Sequence, residues 1–285
     1  MNAGAQIIAT LLKRIFRSYP MMMLRYNTLP PFIHPQWISS PGEKNYLEPL
    51  TNCMSLVHMI SAGVSGGSKL FWRNVRQECD RLCEEHTTFD KWQLLAATQA
   101  LLMYMLMRLA EGETEHNNFD IPLLSAMMIM LNGLRSSLGC QASGFVDHDA
   151  NWKDWIFEES RQRLGLLLRI ISMVVIIEPT AMCHMRAGLI LAPLPARKAL
   201  WEASDEEKWT LERNRDVGNK SEFGLTDDGE LVSLDLYVER SDETPYPEQL
   251  ESAKLLPRSS TNWEEWCSGM DGFGAIVMLA ASLPR

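Results

Sequence analysis

The segment from Trp92 to Leu109 constrains the fold more than any other, because it is apolar on nearly every side. One helical stripe holds Trp92, Leu95, Leu102, Leu106 and Leu109, and a second holds Leu94, Leu101 and Met105. A helix with this pattern must be surrounded by other elements. Asp90 can cap it, so we expect a helix from about Asp90 to Ala110, deep in a helical core.

Apolar residues recur at helical spacing along most of the remaining chain. Long helices are expected over residues 3–17, from 47 to a glycine-rich break at 63–67, from 68 to beyond 82, from 120 to 138 and from 151 to 178. Shorter ones are expected at 183–191, at 200–203, after the capping box Ser204-x-x-Glu207, at 247–256 and from Thr261 to Leu279. The sequence therefore predicts an all-α fold, a multi-helix bundle or array that forms one domain over residues 1–285.

Two segments are expected to depart from this helical pattern. Residues 20–46 contain Pro20, Pro30, Pro31, Pro35 and Pro41. Each proline removes a backbone donor and restricts the residue before it, so we predict an extended segment laid across a helical surface. Residues 213–243 are rich in Asp, Glu, Gly, Asn and Ser, with LVSLDLY as the one apolar island, and we predict a flexible acidic loop.

The charges are distributed unevenly, and this bears on nucleic-acid binding. Residues 202–251 contain 16 acidic and 5 basic side chains, whereas the remaining residues carry a net charge of only +2. DNA affinity depends largely on Lys and Arg that neutralise phosphates. Neither part has a dense basic patch, so autonomous DNA binding is not expected. Membrane insertion is not expected either, since the longest apolar run, Leu164–Ile177, is too short and contains Arg169.

Few residues have the spacing that a chemical site requires. The six cysteines are scattered without a Cys-x-x-Cys pair, which is typical of reduced intracellular thiols. Cys79-x3-Cys83-x2-His86 lacks the fourth ligand that structural zinc normally has, and Asp147-His148-Asp149 is more typical of a solvated turn. The glycine-rich 63–69 segment ends in Gly-Ser-Lys and not in the Gly-Lys-Ser of a phosphate loop, so a helix break is favoured. We predict no catalytic residue, no cofactor and no metal site.

Two compositional features leave alternatives open. Methionines cluster at 21–23, 103–107 and 127–130, and they either fill the core or line an adaptable pocket. The acidic segment is either a solvated surface loop or an acidic–hydrophobic activation segment.

The stretch from Trp152 to Trp209 resembles the signature of the regulatory region of fungal zinc-cluster transcription factors. Trp152 and Trp155 match its paired tryptophans, and Gln162 interrupts an otherwise matching Glu-Ser-Arg-Arg-Arg run. The other matching residues are Glu159, Ser160, Arg161, Arg163, Leu194, Pro195, Leu200, Trp201, Glu202, Ala203 and the closing Trp209. RSYPMMMLRYNTLPPFIHP at 17–35 and LLAATQALLMYMLMR at 94–108 extend the resemblance over nearly the whole chain. The i,i+4 order of Glu159 and Arg163 favours a helical ion pair, so we expect these residues mainly to hold the helices together.

The resemblance implies a helical regulatory body that is not an enzyme and that lies in the nucleus. The six closely spaced cysteines of a zinc cluster are missing from the chain. We therefore expect a regulator of a fungal gene cluster, of secondary metabolism in particular, that acts on other transcription regulators or coactivators, or through a small-molecule effector. A helical small-molecule sensor and an unusual biosynthetic enzyme of the same pathway are the alternatives. An upstream exon that encodes the zinc cluster is a further alternative, which this sequence leaves open.

Overall fold

Helices dominate the computed structural model, which confirms the predicted all-α fold. Within the residues that it describes, the only sheet is small and has three strands. The described residues are 3–25, 28–39, 44–63, 66–137, 151–175, 189–215, 223–226, 230–233 and 260–283. The chain divides into two compact units: unit 1 is Met1–Gly144 with Val174–Met182, and unit 2 is Phe145–Met173 with Cys183–Arg285. Two compact units can belong to one cooperative domain, so the prediction of a single domain stays a prediction.

Unit 1 is a helical assembly arranged around its most apolar helix. Its described helices are α1 (Ala3–Met22), α2 (Pro35–Ser39), α3 (Glu48–Ser61), α4 (Gly67–Glu85), α5 (Lys91–Glu111) and α6 (Asp120–Ser137), with short 3-10 turns at Lys44–Leu47 and His86–Thr88. Helix α5 packs against α1, α3, α4 and α6. Every residue from Leu94 to Leu106 is buried, which confirms the central position predicted for this helix.

Helix α5 is also long and apolar enough, by length and composition alone, to cross a membrane. It is the one helix of this kind among the described residues. Its most apolar window is 72% buried inside the structure. That degree of burial is expected of a core helix that is apolar on most sides.

Local caps determine where the helices of unit 1 begin. The Asp90 side chain accepts hydrogen bonds from the backbone N–H groups of Trp92 and Gln93, and the Gln93 side chain accepts from the Asp90 N–H, which completes a capping box. The predicted start of α5 is therefore confirmed. The helix predicted from residue 68 is α4, and no side chain caps its N-terminus. Helix α4 instead starts after Gly66, whose φ of 78° is left-handed and favours glycine.

The predicted extended segment at 20–46 is wrong in three places. Helix α1 continues through Pro20 to Met22, α2 occupies Pro35–Ser39, and a 3-10 turn follows at Lys44–Leu47. A proline near a helix end removes only one hydrogen bond, and the burial of Tyr19 and Met23 outweighs that loss. Pro35 is the first residue of α2, where its missing N–H costs nothing.

The same segment lies against α5, as predicted. The Trp37 ring stacks on Trp92 with 3.9 Å between the ring centroids. Phe32 is fully buried, and its carbonyl accepts a hydrogen bond of 2.7 Å from the Gln99 side chain. These contacts anchor the proline-rich segment on the core helix.

Unit 2 combines one long helix with short elements. Its described elements are α7 (Trp152–Val175), β1 (Leu189–Leu191), α8 (Lys198–Trp201), α9 (Glu206–Arg215), β2 (Phe223–Thr226), β3 (Leu231–Ser233), α10 (Ser260–Gly269) and α11 (Gly272–Ala281). The strands form an antiparallel sheet in the order β1-β2-β3. Helix α7 is the longest described helix, as predicted.

The strands overturn two predictions for unit 2. The helix predicted at 183–191 is a strand at Leu189–Leu191, because β2 supplies its hydrogen-bond partners, while residues 183–188 lie outside the described part. The acidic loop predicted at 213–243 contains the end of α9 and the β2–β3 pair. Its residues 216–222, 227–229 and 234–243 are not described.

Caps account for two further corrections. The backbone N–H of Lys208 donates to the Asp205 carboxylate at 2.8 Å, so Asp205 caps α9 and not the predicted Ser204. The last predicted helix, from Thr261 to Leu279, is two helices, because Asp271 caps a new one: its carboxylate accepts from the Gly274 N–H. The helix predicted at 247–256 lies outside the described residues.

Candidate functional site

A buried arginine lies at the centre of unit 2, on the inward face of α7. The Arg163 side chain is 0% exposed. Its Nε donates to Oε1 of Glu159, one helical turn earlier, at 2.6 Å. The i,i+4 ion pair predicted from the sequence is therefore confirmed, and it is a buried pair.

Two other chain segments complete the pairing of this arginine. Nη1 of Arg163 donates to Oδ2 of Asp271 at 2.5 Å. The second oxygen of Asp271 caps α11, so one carboxylate both starts that helix and holds the arginine. The backbone of Ala196 closes the network, since its N–H donates to Glu159 at 2.9 Å and its carbonyl accepts from Arg163 at 3.3 Å. The network thus links α7, the segment before α8, and α11.

Aromatic rings cover the guanidinium group. Its central carbon lies 3.9 Å from the centroid of the Trp201 ring and 5.6 Å from that of Phe273. A cation over an aromatic face is attracted by the ring quadrupole, and the attraction strengthens when water is excluded. Trp201 therefore has an electrostatic role in addition to its packing.

The charges of the network do not cancel, since two carboxylates share one guanidinium. Burial raises the pKa of the Glu159 carboxyl above its ordinary value of 4.5; the Asp271 carboxylate raises it further, while Arg163 opposes both effects. A carboxyl group with a raised pKa is a common sign of an active site. Here the Glu159 side chain is only 2% exposed and its acceptor atom is already paired, so the geometry favours a structural role.

Three matching tryptophans of the signature pack beside this network. Trp155, Trp201 and Trp209 belong to one buried cluster with Ile156 and Ala203, and Trp152, Ala196 and Leu200 pack against it. The rings of Trp155 and Trp209 lie 5.8 Å apart. These matching residues of unit 2 therefore contact one another, as expected for parts that hold a helical unit together.

The segment that contacts Arg163 also lines an open groove of ≈ 460 Å³. The lining residues are Arg197, Lys198, Ala199, Leu200, Glu202, Glu212, Arg215, Ser268, Gly269 and Met270. Within it Lys198 lies 3.9 Å from Glu202, and Arg215 pairs with Glu212. Most small-molecule pockets are enclosed and largely apolar. This groove has a charged lining and is better suited to a polar ligand or a peptide segment.

Because Gly269 has no side chain, the Arg197 side chain, which also lines the groove, can lie close to it. A Cβ atom placed on Gly269 would lie 3.0 Å from Cγ of Arg197, whereas one placed on Gly272 would meet nothing within 4 Å. The aliphatic part of Arg197 thus lies directly over Gly269. A methyl group at residue 269 would displace the Arg197 side chain.

Two of the sites weighed from the sequence, Cys79-x3-Cys83-x2-His86 and the glycine-rich segment, lie at least in part among the described residues. Cys79 is buried, Cys83 is partly exposed, and Nδ1 of His86 lies 2.7 Å from the Cys83 carbonyl oxygen. Among the described residues no group of three His, Cys, Asp or Glu side chains could hold a metal ion. The predicted helix break falls between α3 and α4, with positive φ at Gly63 and Gly66, while residues 64 and 65 lie outside the described part. Residues 147–149 lie outside the described part.

Five of the clustered methionines fill the core of unit 1. Met23, Met103, Met105, Met127 and Met130 are buried in unit 1. The groove of unit 2 has Met270 as its one methionine. The core-filling interpretation is therefore confirmed for the five buried side chains.

Sequence reasoning missed Asp271 and Ala196. An Asp before the apolar run Gly-Phe-Gly-Ala-Ile-Val would have been a recognisable helix cap. Nothing in the sequence indicates that its second oxygen reaches Arg163, which lies 108 residues earlier. Ala196 takes part only through its backbone N–H and carbonyl groups, so its residue type gives no indication of this role.

No protein-family model, curated protein or solved structure matches the chain. An assignment of function therefore rests on the geometry of the described residues and on the sequence itself.

Proposed function

We propose that this protein is the regulatory body of a fungal transcription regulator, acts in the nucleus, and controls a gene cluster by contacts with other regulators or coactivators. One observation carries the proposal. The residues that resemble the family signature, Trp155, Glu159, Arg163, Trp201 and Trp209, form a single interlocked cluster in unit 2. Their contacts within one unit support a shared structural role for the residues of the signature.

The cluster supports a role in binding and not in chemistry. The charged groups of Glu159, Arg163 and Asp271 pair with one another, and the Trp201 ring lies over the guanidinium group. A general acid or base must lie within hydrogen-bond reach of a substrate proton. A network closed on itself instead holds α7, the segment before α8 and α11 in place, and we propose that these elements support a surface that contacts a binding partner.

A reporter assay with a tethered chain tests the proposal. The full chain is fused to an unrelated DNA-binding module and produced in a fungal host with a reporter gene that carries the module's sites. We expect reporter transcription to change several-fold in either direction relative to the module alone. Arg163→Met should abolish the change, while the matched variant Arg161→Met, on the same helix, should retain it. An unchanged reporter would contradict a regulatory role.

DNA binding by the untethered chain provides an independent check. Residues 1–285 contain no group of closely spaced cysteines and no dense basic patch. Fluorescence anisotropy with labelled promoter DNA at physiological salt should therefore show only weak, sequence-independent binding. Tight and sequence-specific binding by the purified chain would overturn the proposed mode of action.

The groove in unit 2 favours a second candidate function, the sensing of a small polar molecule. Its volume of ≈ 460 Å³ is in the range of ligand sites. A ligand that binds only the folded protein raises the melting temperature, and at 100 times its Kd it contributes about 2.7 kcal/mol. A thermal-shift screen with polar pathway intermediates tests this candidate. Gly269→Ala should reduce the shift, because the Arg197 side chain must move away from residue 269, whereas Gly272→Ala should preserve it.

A further inference from the structure

Helix α1 is amphipathic and buries one of its faces in unit 1. Ala5, Ala9, Leu12, Phe16 and Tyr19 are all buried, and the helix packs against α5. This inward face already uses the large aromatic side chains of α1. The opposite face is therefore what α1 offers to other molecules.

The opposite face carries an apolar stripe on exposed positions. Ile7 is 61% exposed, Leu11 is 42% exposed and Met21 is 53% exposed. At 3.6 residues per turn these three side chains lie within about 80° of one another around the helix. Ile7 and Leu11 are i,i+4 neighbours, so their side chains form one continuous apolar surface. Met21 lies on the same face about 15 Å further along the helix axis.

Basic residues accompany this stripe. Lys13, Arg14 and Arg17 are exposed, and α1 contains no Asp or Glu. Among the described residues none of the three forms a salt bridge, although Arg81, Arg108, Arg161 and Arg163 each do. The outward face of α1 therefore presents positive charge, unpaired within the described part of the chain, next to exposed apolar groups.

We infer that the outward face of α1 docks an acidic amphipathic helix of a partner protein. Such a helix places apolar residues at i and i+4 against Ile7 and Leu11, and its flanking carboxylates meet Lys13, Arg14 and Arg17. Complementary charge mainly sets specificity and the association rate, while the apolar anchors supply most of the affinity. The inference rests on the proposed function only for the partner's identity as another regulator, since the face itself is defined by α1 alone.

A membrane surface fits this face less well. Helices that lie in a bilayer interface bury a broad apolar face with Trp, Phe or Leu in the acyl region. The aromatic residues of α1, Phe16 and Tyr19, are buried within unit 1. The exposed apolar side chains of α1 therefore form only a narrow row, about as wide as the contact between two helices.

Fluorescence anisotropy with a defined probe tests the inference on the full chain. The probe is a fluorescein-labelled peptide, about five helical turns long, with Leu at i,i+4 spacing and Glu at the other exposed positions. We expect saturable binding that weakens with added salt. The double variant Ile7→Ser/Leu11→Ser should weaken it about tenfold or more, since the loss of two anchors readily exceeds about 1.4 kcal/mol. Both side chains are exposed, so this variant should keep the fold and melting temperature of the parent.

Two further variants separate the contributions to binding. Replacing Lys13, Arg14 and Arg17 with Gln should reduce affinity and remove most of its salt dependence. Ile121→Ser is the matched control, because Ile121 is 80% exposed on α6, also in unit 1, and lies away from the proposed face in sequence. Its binding should equal that of the parent.

Several results would overturn the inference. Equal binding by the Ile7/Leu11 variant and the parent would do so, as would no binding of the peptide at about 1 mM, the weak limit of specific association. Sedimentation with phosphatidylserine vesicles that depends on Ile7 and Leu11, without peptide binding, would assign the face to a membrane. Self-association lost in the same variant would assign it to a second copy of the chain. The tethered reporter assay tests the proposed function separately, because a silent reporter with intact peptide binding leaves the docking face in place.

Discussion

The replacement Arg163→Met tests whether unit 2 depends on its buried charge network. Methionine keeps much of the length and apolar area of arginine but has neither charge nor donors. The change leaves two carboxylates, Glu159 and Asp271, buried without the guanidinium that each contacts at 2.6 and 2.5 Å. Breaking a buried ion pair by removing one partner costs about 3–5 kcal/mol. Because whole domains are stable by only about 5–15 kcal/mol, the variant should lose a large share of its stability.

Urea denaturation followed by tryptophan fluorescence measures this cost. Six of the nine tryptophans lie in the sequence of unit 2, so fluorescence reports mainly on that unit. Far-UV circular dichroism provides a second probe, and coincident transitions would justify two-state treatment. The matched control is Arg161→Met, because Arg161 pairs with Glu158 at a site where the two side chains are 20% and 22% exposed. Such partly exposed pairs contribute about 0–1 kcal/mol, so the control should remain near the parent.

A double-mutant cycle refines the comparison. Adding Glu159→Gln to Arg163→Met removes one of the two stranded carboxylates and should restore part of the lost stability. If Arg163→Met costs no more than Arg161→Met, the guanidinium is not effectively desolvated. The reasoning that makes this network the structural centre of unit 2 would then be refuted.

Three further predictions concern acidity, capping and thiol reactivity. Because burial raises the folded-state pKa of Glu159 above 4.5, its contribution to stability is present below pH 4.5 and lost as the pH rises through the folded value. Urea titrations of the parent and Glu159→Gln at pH values from about 4 to about 7 should therefore show the parent losing more stability, and parallel pH profiles would contradict this. Asp90→Ala should lower the stability of unit 1 by about 1–2 kcal/mol in urea, since it removes a capping box, while Asp90→Ser should retain most of it. Burial raises the pKa of Cys79 to about 12 and that of Cys53 further, so iodoacetamide labelling followed by peptide mass spectrometry should modify Cys83 before either of them. Rapid labelling of Cys53 in the native protein would show that the core of unit 1 opens.

The long helices could be predicted because their apolar periodicity and their caps are local. Helix α5 has an apolar pattern on most sides together with a capping residue at Asp90, so its position and its start followed from adjacent residues. The glycine break at 63–67 was equally local, because positive φ at Gly63 and Gly66 needs no distant partner. These features depend on neighbouring residues, which a sequence displays directly.

The errors arose where distant contacts overrode local preference. Prolines in residues 20–46 favour extended chain, yet α1 continues through Pro20 because the residues beside it are buried against unit 1. The sequence of Leu189–Leu191 is compatible with either a helix or a strand. It forms a strand because it pairs antiparallel with Phe223–Thr226. A short apolar run therefore carries too little information to determine its own structure.

The candidate site was predictable only within a single helix. The spacing of Glu159 and Arg163 indicated their ion pair, but it did not indicate that the pair is buried. Burial depends on Ala196, Trp201 and Asp271, which come from two other parts of the sequence. Spacing identifies partners on one helix, whereas a site assembled from several segments requires the fold.

The buried network also yields a criterion for deciding which other chains share this architecture. An arginine between two carboxylates is costly to bury unless every member is present, because each stranded charge carries a large desolvation penalty. A chain that has the Glu-x3-Arg pair of α7 should therefore also have a carboxylate directly before its last apolar helix, in the place of Asp271. The two should be lost together, replaced by apolar residues of similar volume, since the complete removal of a buried ion pair is often neutral. Sequences that keep the arginine but lack the distant carboxylate, while folding with equal stability, would show that the network is incidental. If other sequences always keep or lose the arginine and the distant carboxylate together, unit 2 is an inherited module, because no local preference links a helix cap to a residue so far away.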